Sequence, residues 1–242
     1  MKKYTAIGVF IIIALVTLTA FEHKKIPSFN YVVKEVKIGN QTWMAENLNI
    51  DTFQNGDPIT EAKTDEEWMR ARLNRQAAWC YPKNNPDNGP VYGRLYNWYA
   101  VSDKRGLAPK GWKIPTAEDW LALENELGKE KVGSKIKSKE GWEKWKNNRN
   151  ANGSNQSGFN AFPAGWRLIA VDLSNEASTR QSIQFSEFGA AAIWWCSTYD
   201  YWGPENDPES IAANYISVGK TSNIAKFNAD PGTGISVRCI KK

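Results

Sequence analysis

The sequence has very little histidine, since its one residue of this type is His23, near the N-terminus. Serine and cysteine nucleophiles are commonly activated by a neighbouring histidine, and many zinc sites use two histidines. The chain also lacks a Gly-rich phosphate loop and a dinucleotide-binding fingerprint. These absences exclude triad-type hydrolases, metal sites built on two histidines and the common nucleotide-binding motifs.

Cysteine is scarce as well, with three residues in the chain: Cys80, Cys196 and Cys239. In an oxidising compartment, three cysteines predict one disulfide and one spare thiol. Three pairings are possible, and the sequence alone favours none of them. Cys196 has no neighbouring histidine that could activate its thiol, so packing or a disulfide is its expected role.

A large excess of charge of one sign is also missing. The formal net charge is +5, and the densest basic segment, residues 129–140, has acidic residues mixed into it. A nucleic-acid-binding domain is expected to have a clustered basic face. The sequence therefore predicts no nucleic-acid partner, and it predicts a solvated face for residues 129–140.

The longest apolar run lies at the N-terminus and determines the expected location of the protein. Lys2 and Lys3 precede an uncharged stretch that ends at Ala20, which is typical of a secretory signal peptide. An uncleaved anchor is the alternative and would be the only contact with a membrane, but the run is short for the roughly 20 residues of a spanning helix. We expect a signal peptide at 1–20, a linker at 21–30 and one domain at 31–242. That domain would lie in the periplasm, at the cell surface or outside the cell.

Aromatic residues are abundant, with 12 Trp, 9 Tyr and 9 Phe. Each buried aromatic side chain removes roughly 150–250 Å² from water, so these residues can stabilise a domain that has few long helices. Most of the tryptophans are therefore expected in the core, including Trp194 on a strand.

Local patterns predict two helices. The first begins with a capping box at Thr64–Glu67, and the second begins at Thr116 and ends at Gly128. Apolar residues recur at helical spacing in both segments. The expected inner-face residues are Trp68, Ala71 and Leu73 in the first helix, and Trp120, Leu123 and Leu127 in the second.

Alternating apolar and polar residues predict a β-hairpin over residues 31–45, with its turn at Gly39-Asn40. A polar loop is expected at 147–158, where Asn and Gly are frequent. Two helices, scattered strands and long ordered loops together predict one α+β domain. Further strands are expected at Ile183–Phe185, Ala191–Trp195, Asn214–Val218 and Ile235–Ile240.

The segment from Tyr199 to Glu209 combines aromatic rings with acidic and amide side chains. A sugar-binding site needs a ring that stacks on an apolar sugar face and polar groups that bond the hydroxyls. Trp202, at the centre of the segment, has two possible roles, a ligand platform or a buried anchor of the loop. The candidate ligand-binding residues are Tyr199, Asp200, Tyr201, Trp202, Glu205, Asn206 and Asp207.

The acidic residues of this segment allow two other interpretations. Two carboxylates about 5–10 Å apart across a groove could hydrolyse a glycosidic bond. Calcium could also bind through carboxylate and amide oxygens, although the spacing matches no EF-hand loop. An ordinary acidic surface loop is the favoured interpretation, so no cofactor is expected. The candidate calcium ligands are Asp200, Glu205, Asn206, Asp207, Glu209 and Asn214.

Six short segments form a pattern that extends over most of the chain. They are VKIGNQTWMAENL (36–48), VYGRLYNWYAV (91–101), PKGWKIPTAEDW (109–120), SGFNAFPAGWR (157–167), IWWCST (193–198) and GISVRC (234–239). In this order they resemble the Fibrobacter succinogenes major paralogous domain, a family found on exported and surface proteins of bacteria. The resemblance implies a distant likeness to the C-type lectin-like fold, with two helices, a small antiparallel sheet and long ordered loops. It implies surface binding and no established catalytic activity.

The cysteines depart from the family's pattern. Ala108 stands where the family usually has a cysteine, and Cys196 stands where it often has a serine. A cysteine in the last strand of a lectin-like domain is commonly bridged, so the resemblance implies that Cys239 forms a disulfide. We expect Cys196, ahead of Cys80, as its partner.

Taken together, the sequence predicts a non-catalytic binding or adhesion module at the cell surface, with a glycan or a surface protein as its partner. The alternatives are a carboxylate-dependent polysaccharide hydrolase and a structural envelope protein without a small ligand. A groove between two convergent acids would favour the hydrolase, and a flat aromatic platform would favour the binding module.

Overall fold

The computed structural model describes residues 32–144, 149–172, 180–205, 207, 210–219 and 223–242. The expected signal peptide and linker, residues 1–30, lie outside these ranges. Within them, none of the helices combines the length and the apolar character needed to cross a membrane.

The described chain contains both helices and strands, numbered here in chain order. The helices are α1 (Asp65–Leu73), α2 (Gly89–Tyr92), α3 (Trp98–Val101), α4 (Ala117–Leu127) and α5 (Val132–Ile136). The early strands are β1 (Glu35–Ile38), β2 (Gln41–Met44), β3 (Thr60–Glu61), β4 (Ala78–Cys80), β5 (Leu95–Tyr96) and β6 (Trp112–Lys113). The later strands are β7 (Trp166–Asp172), β8 (Arg180–Ser186), β9 (Ala192–Tyr201), β10 (Ile211–Val218), β11 (Ile224–Ala229), β12 (Ile235–Ser236) and β13 (Ile240–Lys241).

The strands form three sheets. The largest has seven strands in the order β11-β10-β9-β12-β5-β4-β3, and a second has four in the order β1-β2-β13-β6. Strands β7 and β8 form a separate pair. Most neighbours are antiparallel, but β12 lies parallel to β9 and β3 lies parallel to β4. The α+β class is confirmed, whereas the expectation of one small antiparallel sheet is wrong because many short strands join β9 and β10 in one mixed sheet.

The local predictions near the N-terminus of the domain are largely confirmed. Strands β1 and β2 pair around Gly39-Asn40, with Ile38 opposite Gln41. Both long helices begin with complete capping boxes, at Thr64 for α1 and at Thr116 for α4. Leu73 is a correction, since its side chain is 68% exposed at the end of α1 and does not lie on the buried face. Trp68 and Ala71 are buried as expected.

The strand predictions in the second half need two changes. Strand β9 extends to Tyr201, so the first three residues of the expected loop belong to the strand. The stretch Ile235–Ile240 divides into β12 and β13 because its ends serve different sheets. Strand β12 pairs with β5 and β9, and β13 pairs with β2 and β6.

The core consists of three apolar clusters, two of which include side chains from alternate positions of β9. Ile193 and Trp195 belong to the first cluster, whereas Trp194 and Cys196 belong to the second. This division follows from the alternation of side chains between the two faces of a strand. The third cluster lies between α1 and β4 and includes Trp68. The buried tryptophans, as expected from composition, are Trp43, Trp68, Trp79, Trp98, Trp112, Trp120, Trp142, Trp194 and Trp195.

The three cysteines are all buried and free, so the structure does not contain the expected Cys196–Cys239 disulfide. Each thiol belongs to a different apolar cluster: Cys239 to the first, Cys196 to the second and Cys80 to the third. The separation of the clusters keeps the three side chains apart.

A buried polar centre joins four segments of the chain. The Asn47 side-chain oxygen accepts hydrogen bonds from Arg238 Nη2 at 2.6 Å, from Arg238 Nε at 3.0 Å and from Trp194 Nε1 at 2.9 Å. Arg238 also donates to the carbonyl oxygens of Met44 and Phe159, and its guanidinium lies 4.5 Å from the Phe159 ring centroid. A buried guanidinium is tolerated only when its donors are bonded, so these contacts fix the relative positions of the four segments.

Candidate functional site

The end of β9 exposes aromatic rings in a protein whose other tryptophans are mostly buried. Trp202 is 59% exposed and Tyr199 is 48% exposed. Single exposed apolar residues are common on protein surfaces, whereas exposed rings that lie near one another can mark a site that contacts a partner or a ligand. The 59% exposure of Trp202 contradicts the buried-anchor interpretation, and the platform interpretation stays a prediction.

The position of Trp202 is fixed by the pairing of β9 with β10. Tyr201 lies opposite Ile211 in the ladder, and the backbone N–H of Trp202 donates to the carbonyl of Ser210 at 2.7 Å. The ladder shifts register between Ala213 and Tyr215. A β-bulge of this kind increases the local twist and redirects the side chains that follow it.

The connection from β9 to β10 is bonded to itself. Ser210 Oγ lies 2.8 Å from the Pro204 carbonyl oxygen and 2.9 Å from that of Asp207. The backbone N–H of Asp207 donates to the Pro204 carbonyl at 3.2 Å. These bonds connect Pro204, Asp207 and Ser210 next to the backbone of Trp202.

Tyr199 and Tyr201 lie on one face of β9 and contact each other edge to face, with ring centroids 5.6 Å apart. Tyr199 also contacts Trp98 at 6.2 Å, and Trp98 contacts Trp195 at 5.5 Å. A chain of ring contacts therefore leads from the buried core to the exposed tyrosine. We call the neighbouring residues Tyr199, Tyr201 and Trp202 at the end of β9 the aromatic patch, in which ring contacts join the two tyrosines.

The structure separates the predicted polar residues from one another. Asp200 is exposed and alternates with the two tyrosines, so it lies on the opposite face of β9. Glu205 is exposed in the connection, Asp207 is half-buried, and Asn206 lies outside the described residues. The seven predicted residues are therefore neighbours in sequence that serve two faces of one strand end.

The candidate calcium ligands lie partly inside and partly outside the described residues. In the ranges that the structure describes, no group of three or more His, Cys, Asp or Glu side chains is arranged to hold a metal. Asn214, one of the predicted calcium ligands, is buried in β10 and donates to Thr198 Oγ1 at 3.3 Å. Asn206 and Glu209 are outside those ranges, so the calcium prediction itself stays untested.

Sequence reasoning missed one surface feature, a cleft between α4 and the strands β10 and β11. Its cavity has a volume of about 280 Å³. No local sequence pattern indicates it, because its walls come from a helix and from strands that are distant in the chain. We call this feature the α4–β11 cleft. Its walls are formed by Ala117, Glu118, Trp120, Leu121, Glu124, Ile216, Ile224, Ala225 and Lys226.

These features define a class of protein, an α+β domain with a Trp-rich core, three sheets and exposed aromatic rings at one strand end. The family model of the Fibrobacter succinogenes major domain matches residues 36–241, and the chain belongs to this family. No curated protein and no solved structure matches the chain.

Proposed function

We propose that this protein is a non-catalytic binding module and that the aromatic patch is its ligand-binding surface. The observation that carries the proposal is the 59% exposure of the Trp202 ring. Its backbone is held by the bond to Ser210, which lowers the backbone part of the entropic cost of binding.

A glycan is the ligand class that the chemistry of the patch favours. Ring faces stack on the apolar face of a sugar, and the exposed carboxylates of Asp200 and Glu205 accept hydrogen bonds from hydroxyl groups. Tyr199 is a second exposed ring, held by Trp98, on the face of β9 opposite to Asp200. A protein surface with exposed polar side chains is the second partner class that such a patch suits.

We further propose that the module acts outside the cytoplasm and that its fold is distantly related to the C-type lectin-like fold. The charge and apolar pattern of residues 1–20 supports export. Two longer helices, α1 and α4, and long ordered connections support the fold relation. N-terminal sequencing of the protein recovered from its host tests export, with a start near Phe21 as the expected result.

The decisive experiment is a glycan array probed with the purified chain, with and without calcium. We expect binding to a restricted set of glycans, lost in Trp202→Ala because the stacking ring is removed. Phe227→Ala is the matched control, since Phe227 is also an exposed ring, 52% accessible, but lies on β11. The control variant should bind as the parent does.

Three outcomes would contradict this proposal. Equal loss of binding in both variants would indicate a general effect on the surface and not a site at Trp202. Cleavage of a bound polysaccharide, abolished by Asp200→Asn or Glu205→Gln, would establish the hydrolase. An array without any specific signal would favour a structural envelope protein.

A further inference from the structure

Strand β11 forms one edge of the seven-stranded sheet. Its six residues pair with β10 without a shift in register, and among the residues that the structure describes no other strand lies beside it. In an antiparallel pair, every second residue directs its N–H and C=O groups away from the neighbouring strand. Residues 225–228 are all exposed, so β11 presents main-chain donors and acceptors at an open edge.

The open edge adjoins the α4–β11 cleft. Ile224 and Lys226 line the cleft from alternate positions of β11. Phe227 lies on the other face of the strand, where its ring contacts that of Tyr215 with centroids 5.6 Å apart. Ala225 also borders the cleft, although the alternation of side chains directs its methyl group to the face of Phe227. Ala225 therefore borders the cleft through its main chain.

The opposite wall of the cleft is one stripe of α4. Ala117, Leu121 and Glu124 recur at the spacing of a single helix face, and Glu118 lies beside them. Leu121 is 48% exposed and lies between the two acidic positions of the stripe. The stripe therefore has an apolar centre with a carboxylate on each side of it.

The charges of the cleft favour a basic ligand group. Its lining includes two acids, Glu118 and Glu124, and one base, Lys226, so the formal charges sum to −1. A hydrogen bond from the Thr116 hydroxyl lowers the pKa of Glu118 most, and the charge of Lys226 lowers it as well. Lys226 thus acts on Glu118, and Glu124 is the carboxylate left to face an incoming cation.

We propose that the edge of β11 and the α4–β11 cleft together bind an extended segment of a partner protein, in which an apolar residue has a basic residue two positions away on each side. The segment adds to the sheet as a strand next to β11, and its main chain pairs with the open edge. Its apolar side chain packs against Leu121 and Ile224, and a basic side chain bonds Glu124. The edge selects a polypeptide because only another strand presents N–H and C=O groups at the same repeat.

This surface is separate from the aromatic patch. Ile216, in the inner wall of the cleft, pairs with Trp194 on β9. Tyr201 is seven residues further along β9 than Trp194, which at about 3.3 Å per residue is roughly 20 Å. The peptide surface and the proposed glycan surface therefore do not share residues.

The test is a fluorescence-anisotropy titration of the labelled peptide TKTLTKT, as its C-terminal amide, with the full chain. In a strand this peptide places its two Lys and its Leu on one face and Thr, a residue that favours strands, on the other. We expect saturable binding. The peptide TETLTET should bind about tenfold more weakly, because its acids face Glu118 and Glu124.

Two N-methylated forms of TKTLTKT test the main-chain pairing. One form carries methyl groups on the Lys and Leu nitrogens and the other on the internal Thr nitrogens, so each form blocks a different edge of the peptide strand. A strand docked on β11 uses one of its two edges. One form should therefore lose binding and the other should keep most of it, whereas a groove that recognises side chains alone would treat both forms alike.

Two variants of α4 test the position of the peptide. Glu124→Lys and Glu126→Lys make the same change of charge, but only Glu124 lines the cleft. Glu124→Lys should weaken the binding of TKTLTKT several-fold and should bind TETLTET better than the parent does. Glu126→Lys should bind both peptides as the parent does, and so should Trp202→Ala.

The other outcomes overturn the proposal. They are no saturable binding of TKTLTKT, equal binding of TETLTET, equal effects of the two N-methylated forms, and unchanged binding in Glu124→Lys. An equal loss in Glu126→Lys would indicate a response to net charge and not a site in the cleft. Dimers of the chain that the peptide dissociates would assign the edge to a second copy. A glycan array without signal leaves all these measurements unaffected, so the two proposals can fail separately.

Discussion

The polar centre around Asn47 and the end of β9 use tryptophan in opposite ways. Trp194 is fully buried, and its indole N–H is bonded to Asn47. Trp202, eight residues further along the chain, is more than half exposed directly after the end of β9. The backbone of Trp194 pairs with Ile216 of β10, and that of Trp202 bonds to Ser210 just before β10. The two tryptophans therefore differ in the surroundings of their side chains and not in the pairing of their backbones.

The two regions also differ in their relation to the six segments that resemble the family. Asn47, Phe159, Trp194 and Arg238 each lie in one of the six segments that carry the resemblance, and together they form the buried polar centre. The range Tyr199–Asp207 lies outside all six segments. The six segments therefore supply the buried polar centre, and the residues proposed to bind a ligand lie between them.

Among the substitutions that are not controls, Asn47→Ala should have the largest effect on stability. It removes the oxygen that accepts from Arg238 and Trp194, and it leaves a buried charge without a main partner. Breaking such an arrangement costs about 3–5 kcal/mol in the free energy of unfolding. Urea denaturation followed by tryptophan fluorescence measures the loss. Asn55→Ala, the same change at an exposed position, should alter the free energy by no more than about 0.5 kcal/mol, and equal losses would refute the role of the polar centre.

The buried thiols should make the core sensitive to alkaline pH. Burial raises the pKa of Cys80 and of Cys196 from 9.0 to about 12, and it raises that of Cys239 as well. Above pH 9 the unfolded chain loses these protons first, so the free energy of unfolding falls as pH rises towards 12. The slope is up to about 1.4 kcal/mol per pH unit for each thiol.

Denaturation series at pH 8 to 10.5 test this prediction. Cys196→Ala is the control, because it removes the contribution of one thiol to the pH dependence of the free energy of unfolding. Tyr92, Tyr99 and Tyr215 also have a raised pKa through burial and leave a residual slope in every variant. In the native protein the three thiols should not react with a thiol reagent at pH 8, and all three should react after unfolding in denaturant. Recovery of only one thiol after unfolding would instead demonstrate a disulfide.

The N-terminal cap of α4, the helix that lines the α4–β11 cleft, should contribute moderately to stability. Thr116 Oγ1 accepts from the Asp119 N–H at 3.2 Å, and the Asp119 carboxylate accepts from the Thr116 N–H at 2.9 Å. Thr116→Ala should therefore cost about 1 kcal/mol, whereas Thr116→Ser keeps the hydroxyl and should stay close to the parent. Thermal unfolding of the three proteins measures this difference, and equal melting temperatures would show that the cap contributes nothing.

Short-range sequence patterns predicted the elements that depend on residues close together in the chain. The capping boxes at Thr64 and Thr116, the stop at Gly128 and the hairpin at Gly39-Asn40 are short-range patterns, and the structure contains all of them. The burial of most tryptophans followed from their size and number. The prediction of the inner face of α1 was wrong at Leu73. The position of a residue in a helix does not tell whether a neighbouring element covers the last turn.

Long-range pairing was beyond the sequence patterns. The expected strand Ile235–Ile240 is divided between two sheets, a choice made by partners far away in the chain. The loop expected at Tyr199 begins later because β10 continues the ladder up to Tyr201. The α4–β11 cleft was missed for the same reason, since it exists only when a helix and a hairpin from distant segments meet. The exposed state of Trp202 was one of two alternatives, and only the tertiary structure distinguished them.

The smallest expected effect on stability is that of Trp202→Ala. The Trp202 ring is 59% exposed, and the backbone bond to Ser210 that holds the turn does not depend on the side chain. We therefore expect the free energy of unfolding to change by less than about 0.5 kcal/mol, as for most surface substitutions. Trp194→Ala is the matched control, because the same atoms are removed from a fully buried position at a cost of about 3–5 kcal/mol. Urea denaturation of the two variants side by side gives the contrast. A loss in Trp202→Ala close to that in Trp194→Ala would show that the ring anchors the turn, and the aromatic patch would then be scaffold and not a binding surface.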